Sequence, residues 1–267
     1  MFAATMPPDI LHALTRWNPS LCASRRSVRS PRDSTGMVFL VEDIMRESTA
    51  TAWRAVVDVA DNTLNATFLL GSSDPSVSKS LFDEYSGDKK LTNVLHGATV
   101  TDQHSADELL PLLEDAGDVT FAVASPLEGL IDLHLDTHPT VKWVIVAGGP
   151  DIDSVPVHPL WVRALRNQCV LNDVSFFFEG WGAWKENVLE DDGGETLLSV
   201  PRNPEHGLTA LNVDGRTALN MENPSDPFGK NGSSVQGGWT MMRHVGVIAS
   251  GRVLDRRTWD EAPFWDT

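Results

Sequence analysis

The chain has 267 residues, 41% apolar and 22% charged, with a formal charge of −16 from 21 basic and 37 acidic side chains. The composition excludes a disordered chain, a collagen-like fibre and a coiled coil, and the length suits one large α/β domain or two small ones. An acidic surface repels phosphate backbones, so general nucleic-acid binding is disfavoured unless basic residues are concentrated somewhere. No stretch approaches the ~18 continuous apolar residues of a membrane helix. Residues 1–17 have neither the basic n-region nor the apolar h-region of a secretory signal. Cys22 and Cys169, the two cysteines, read as free thiols of a cytoplasmic protein.

Residues 1–36 carry Arg16, Arg25, Arg26, Arg29 and Arg32 against Asp9 and Asp33, which leaves −19 on the remainder. The arginine-rich run 25–32 has little to bury and reads as a flexible basic arm. From Met37 the pattern changes. Apolar runs at 37–41, 67–70, 93–100, 119–124, 141–147 and 174–178 read as buried strands. Helices are expected at 50–60, with Trp53, Val56, Val57 and Ala60 on one face, at 79–85, at 106–115 and at 158–171. Pro159 suits the first turn of the last one.

Six strands alternating with helices or loops point to a parallel α/β fold, either an open doubly wound sheet or a whole or partial barrel. The connection 125–140 is irregular and holds two acid–histidine pairs. After Trp184 the chain becomes loop-rich, with acidic residues in 186–195 and a Gly/Ser/Asn/Pro loop in 220–238. The expected organisation is an arm (1–36), an α/β barrel-like domain (37–184) and a C-terminal extension (185–267) packed on it.

Three blocks carry a resemblance. They are Val144-Ile145-Val146-Ala147-Gly148-Gly149, the run from Val157-His158-Pro159-Leu160-Trp161 to Cys169, and Phe176-Phe177-Phe178-Glu179-Gly180-Trp181-Gly182-Ala183-Trp184. A C-terminal signature, Gly251-Arg252-Val253-Leu254-Asp255-Arg256-Arg257-Thr258-Trp259-Asp260-Glu261-Ala262-Pro263, and weaker blocks at 95–103 and 124–129 keep the same order. Together they resemble a phage-encoded family of uncharacterised proteins with a radical-SAM-like barrel and an N-terminal three-cysteine motif. The resemblance covers about residues 38–184 and 251–263 and implies a six-stranded or partial TIM-like barrel of the radical-SAM type. It also implies an iron–sulfur cluster on three thiolates, with one iron left open for S-adenosylmethionine.

The chain departs from that pattern where the chemistry would sit. Trp17-Asn18-Pro19-Ser20-Leu21-Cys22 resembles the lead-in to the cysteine motif, but no further cysteine follows closely. At the strand ends the family has Thr-Lys-Arg, Cys-Glu-Pro, Gly-Gly-Glu and Phe-Lys-Gln-Trp. This chain has Ser72-Ser73-Asp74, Ala124-Ser125-Pro126, Gly148-Gly149-Pro150 and Phe178-Glu179-Gly180-Trp181. Replacing a lysine by Glu179 inverts a charge, and a site built for an anion then rejects it. The resemblance therefore carries the fold and not the activity: no catalytic residue and no cluster are expected.

Other chemistry has thin support. Gly148 and Gly149, with Trp181, could admit a cofactor close to the backbone, though the plain reading is a turn closing a strand. Asp132, His134, Asp136 and His138 alternate, so an extended segment would place four oxygen and nitrogen ligands on one face; the plain reading is a solvated loop. Glu42, Asp43, Asp74, Asp102, Asp151, Asp153 and Glu179 crowd the strand ends, where two could form a catalytic pair. Cys22 among arginines would be reactive, whereas Cys169 reads as a core thiol. Trp161, Trp181, Trp184, Trp239, Trp259 and Trp265 read as pins for the C-terminal extension.

The functional expectation is a phage or prophage protein, in the host cytoplasm, that has lost catalysis and acts by binding an unknown protein or small molecule. The alternatives are a residual S-adenosylmethionine- or nucleotide-binding enzyme and an acidic decoy of a host nucleic-acid-binding protein. Strand edges left open by missing βα units would favour a homo-oligomer.

Overall fold

The computed structural model describes residues 38–42, 50–64, 67–186, 208–217 and 238–263, by backbone alone at 38–42, 50–52 and 208. The arm 1–36, Cys22, Asp43, Trp265 and most of the acidic and Gly/Ser stretches lie outside the described residues.

Six strands form one sheet: β1 (Val38–Glu42), β2 (Thr67–Ser72), β3 (Val94–Val100), β4 (Thr120–Ala124), β5 (Val141–Ala147) and β6 (Ser175–Gly180). Their order in the sheet is their order in the chain, and every neighbouring pair is parallel. The order never reverses, so the sheet has no topological switch point of the doubly wound kind. β1 and β6 stand at opposite edges and do not pair with each other.

The connections explain themselves locally. In α1 (Ala50–Asp61), Trp53, Val56, Val57 and Ala60 are buried at helical spacing and pack with Phe68, Leu70, Phe82 and Val94. α2 (Pro75–Ser86) begins earlier than the expected 79, because Asp74 caps it by accepting from the Val77 N–H at 3.2 Å and Pro75 occupies the first turn. α3 (Gln103–Leu109) also begins early, at a capping box between Asp102 and Ser105, and runs into a 3₁₀ turn, Leu110–Leu113. α4 (Pro159–Leu171) buries Trp161, Val162, Leu165 and Cys169.

No helix links β4 to β5. Instead Ile131, Leu133 and Leu135 are buried while Asp132, His134 and Asp136 are exposed, and the chain turns at His134, which sits at φ +45° with its carbonyl accepting the Thr137 N–H at 2.8 Å. Two glutamines tie its backbone down. Gln103 on α3 accepts the Asp132 N–H and donates to the Asp132 carbonyl at 2.7 and 2.9 Å. Gln168 on α4 treats Leu133 and Ile131 likewise, at 2.8 Å each.

The two sheet faces differ. One, with Ala98, Ala122, Val144, Val146, Phe176 and Phe178, packs with residues of the helices. The other is a layer of Leu69, Phe121, Val123, Trp143, Ile145 and Phe177, joined among the described residues by Leu95 and Ala262. Gly97 sits in that layer because a Cβ there would fall 2.5 Å from the Phe121 ring.

The C-terminal extension contains more regular structure than its loop-rich composition suggests. β7 (Trp184–Glu186), β8 (Leu208–Asn212) and β9 (Trp239–His244) form an antiparallel sheet in the order β7-β9-β8, followed by the short helix α5 (Val247–Ser250). The expected division at residues 184 and 185 falls inside β7.

The extension returns to the main sheet. Phe178 N–H donates to the Trp259 carbonyl at 3.0 Å and Glu261 N–H to the Phe176 carbonyl at 3.2 Å, with a bridge between Phe177 and Asp260. Residues 259–261 thus cover the outer edge of β6, a natural protection against edge-to-edge association. Among the described residues β1 pairs only with β2. No helix among the described residues is long and apolar enough to cross a membrane.

Candidate functional site at the strand ends

Parallel sheets place chemistry at the C-terminal ends of their strands. Here those ends are largely taken up by the chain itself. After β2, Ser72 Oγ accepts the Asp74 N–H at 2.9 Å and Asp74 caps α2. After β3, Asp102 caps α3, and the backbone and hydroxyl of Ser105 hold its carboxyl below the usual range. After β4, a cis Ser125–Pro126 bond leads to Leu127, whose N–H donates to the Ala147 carbonyl at 3.0 Å. Asp151 and Asp153 are exposed on the loop after β5. Asp74 and Asp102 are capping groups, so the expected crowd of mouth carboxylates is in part helix chemistry. The Glu42 side chain and Asp43 lie outside the described residues.

Gly148 and Gly149 do let backbone approach closely, and the approaching backbone is internal. A Cβ on Gly148 would fall 2.2 Å from the Trp181 carbonyl oxygen, and one on Gly149 would fall 2.3 Å from Ser154 Oγ. Gly182, at φ +73°, would place a Cβ 2.2 Å from the Gly149 carbonyl. Gly148 N–H donates to the Gly180 carbonyl at 3.0 Å, and Ala183 N–H to the Gly149 carbonyl at 2.8 Å. The diglycine and the 180–183 turn are two backbones in contact, which only glycine permits.

Trp181 is 6% exposed, meets Phe178 edge to face at 4.9 Å and donates its indole N–H to the Val253 carbonyl at 3.1 Å. Trp161 donates likewise to Val213 at 2.6 Å. Each ties the extension to the main sheet or to α4.

Asp132, His134, Asp136 and His138 do not converge. His134 Nδ1 lies 3.7 Å from Asp132 Oδ1, while His138 Nδ1 faces Glu114 at 3.9 Å. Among the described residues no group of three or more His, Cys, Asp or Glu side chains is placed to hold a metal ion. Cys169 is fully buried on α4, and burial pushes its thiol pKa well above the usual range. Three thiolates cannot come from two cysteines, one of them sealed in the core. The residues present do not fit the cluster of the resembled barrels.

Two arrangements lay outside sequence reasoning. Arg252 stands 5.0 Å over the Phe177 ring and pairs with Asp260. Burial lowers its pKa and the nearby Glu179 carboxylate opposes that. His158 accepts the Leu160 N–H on Nδ1 and meets the Gly238 carbonyl through Nε2, both at 3.1 Å. It is thereby the cap of α4 and a tie to the start of β9, and burial lowers its pKa. The contacts of Arg252 with Phe177 and of His158 with Gly238 join segments far apart in the chain, and no local pattern records them.

No curated protein and no solved structure matches this chain. A family model described as Protein of unknown function (DUF5131) matches residues 6–263. The match spans both sheets and the C-terminal segment that covers β6, and on it the chain belongs to that uncharacterised family.

Proposed function

We propose that this chain acts by binding, on a scaffold related to radical-SAM-like barrels of phage origin, without their radical chemistry. The observation that carries the reading is the filling of the Gly148-Gly149 turn by the Trp181 carbonyl and Ser154. The capping duties of Asp74 and Asp102 and the burial of Cys169 agree with it. On this reading the sequential parallel sheet, whose β6 edge is covered by residues 259–261, is part of a barrel, and the protein works in the host cytoplasm.

Anaerobic reconstitution with iron and sulfide, followed by iron counting and a thermal shift with S-adenosylmethionine, tests this. The expected result is a folded protein with no stoichiometric cluster and an unchanged Tm. A stoichiometric cluster would return the protein to radical chemistry. A raised Tm without a cluster would favour a residual S-adenosylmethionine site.

A further inference from the structure

On this acidic chain several arginines gather around Asp255 and Trp259, brought together from positions 163 to 257. Arg163 and Arg166 on α4 both bond the Asp255 carboxylate, Arg163 Nε at 2.9 Å and Arg166 through Nη1. Asp255 lies in a two-residue turn closed by paired backbone bonds between Leu254 and Arg257, at 2.9 and 3.2 Å. The turn presents Arg256 and Arg257 beside the α4 pair. Arg163, Arg166 and Arg257 meet the carboxylates of Asp255 and Glu261, and Arg256 stands on the same turn; with the neighbouring Arg252–Asp260 pair included, these side chains carry +2 on a chain of −16.

The cations are held in place. The Arg257 guanidinium lies 3.4 Å from the Trp259 ring centroid and that of Arg166 lies 5.1 Å from it. Arg163 and Arg257 still expose 35% and 56% of their side chains. Arg256 is exposed and makes no ion pair or hydrogen bond among the described residues. The turn itself is strained: Asp255 and Arg256 sit at φ +52° and +67°, positions that Gly or Asn usually takes. A strained turn that carries Arg256, unpaired among the described residues, costs stability and is tolerated where the side chain has work to do.

We propose that Arg163, Arg256 and Arg257, steadied by Asp255, Arg166 and Trp259, form a docking surface for the phosphodiester backbone of a nucleic acid. All four cations are arginines, whose planar forks match phosphate oxygens in pairs, and stacking lowers the entropy lost on contact. The surface lies on α4 and the C-terminal turn, so the assignment stands whether or not the strand ends carry chemistry.

The test is fluorescence anisotropy with a labelled single-stranded DNA of about 20 nucleotides, titrated at several salt concentrations from about 50 mM upward. The wild-type chain is expected to bind with an affinity that falls steeply with salt. The double variant Arg256→Glu/Arg257→Glu should bind at least about tenfold more weakly and with a shallower salt slope, at unchanged helix content. The variant Arg256→Gly removes one cation and relieves the turn, so it should weaken binding while holding or raising Tm. Absence of wild-type binding at the lowest salt would overturn the proposal. So would full binding by the double variant, which retains the five arginines of 16–32, or competition by polyglutamate equal to that of unlabelled DNA.

Discussion

Gln168 fastens Ile131: its Nε2 donates to the Ile131 carbonyl at 2.8 Å, and its Oε1 accepts the Leu133 N–H at the same distance. A side-chain amide thus takes the place of a strand neighbour for the segment that replaces a helix between β4 and β5. Gln168→Ala leaves one buried N–H and one buried carbonyl without partners and should cost about 2–4 kcal/mol in urea unfolding. Gln103 makes the matching pair of bonds to Asp132 in an exposed setting. Water can replace it there, so Gln103→Ala should cost below about 1 kcal/mol. Equal losses from the two would contradict the ordering.

Acid should destabilise the fold through histidine. His96 is 5% exposed against the Phe82 ring, its Nδ1 has no hydrogen-bond partner, and burial lowers its pKa to about 4. The unfolded chain takes up that proton near pH 6.5, so the stability is present above that pH and lost as pH falls towards 4. Between about pH 7.5 and 5 His96 alone should remove about 2 kcal/mol. His158, whose pKa burial also lowers, acts in the same direction. His96→Leu should flatten the pH dependence of the urea midpoint, and an unchanged slope would remove His96 as its source.

The turn glycines should divide by what surrounds them. Gly182→Ala meets both a positive φ and the Gly149 carbonyl, and is expected to cost about 3 kcal/mol or more. Gly215, at φ +89° with nothing within 4 Å, should cost only about 1–2 kcal/mol on the same change. Thermal melts of the two variants measure the difference.

Trp161 connects α4 to the small sheet. Trp161→Phe keeps an aromatic ring but leaves the Val213 carbonyl without its 2.6 Å donor, at an expected cost of about 1–3 kcal/mol. Hydrogen exchange should rise in β8 and β9 before it rises in β5. Uniform acceleration across both sheets would indicate that the two unfold as one unit.

Much of the main sheet was legible as a row of apolar runs. Val141–Ala147 is buried at six of its seven positions, and β-strands buried on both faces read as continuous hydrophobic stretches. The starts of α2 and α3 were less legible, because Asp74 and Asp102 resemble loop residues until their carboxylates are seen accepting N–H bonds. The small sheet was not legible. Trp184–Glu186 has three residues and its partner Trp239–His244 lies more than fifty residues on, so no local period records the pairing. At the strand ends the diglycine could be read as a close approach, but nothing in Gly148-Gly149 says that the approaching group is Trp181.

By itself the sequence determined which runs of the main sheet must be buried, that a parallel α/β sheet would result, and that two cysteines could not build a three-thiolate cluster. These follow from composition and from periods of two to four residues, which the chain writes locally. Only the tertiary structure decided that residues 259–261 cover β6, that the diglycine is filled from within, and that Arg163 and Arg166 meet the 254–257 turn. Those are contacts between segments far apart in the chain, set by the register of the sheet and the packing of α4, and no short pattern encodes them.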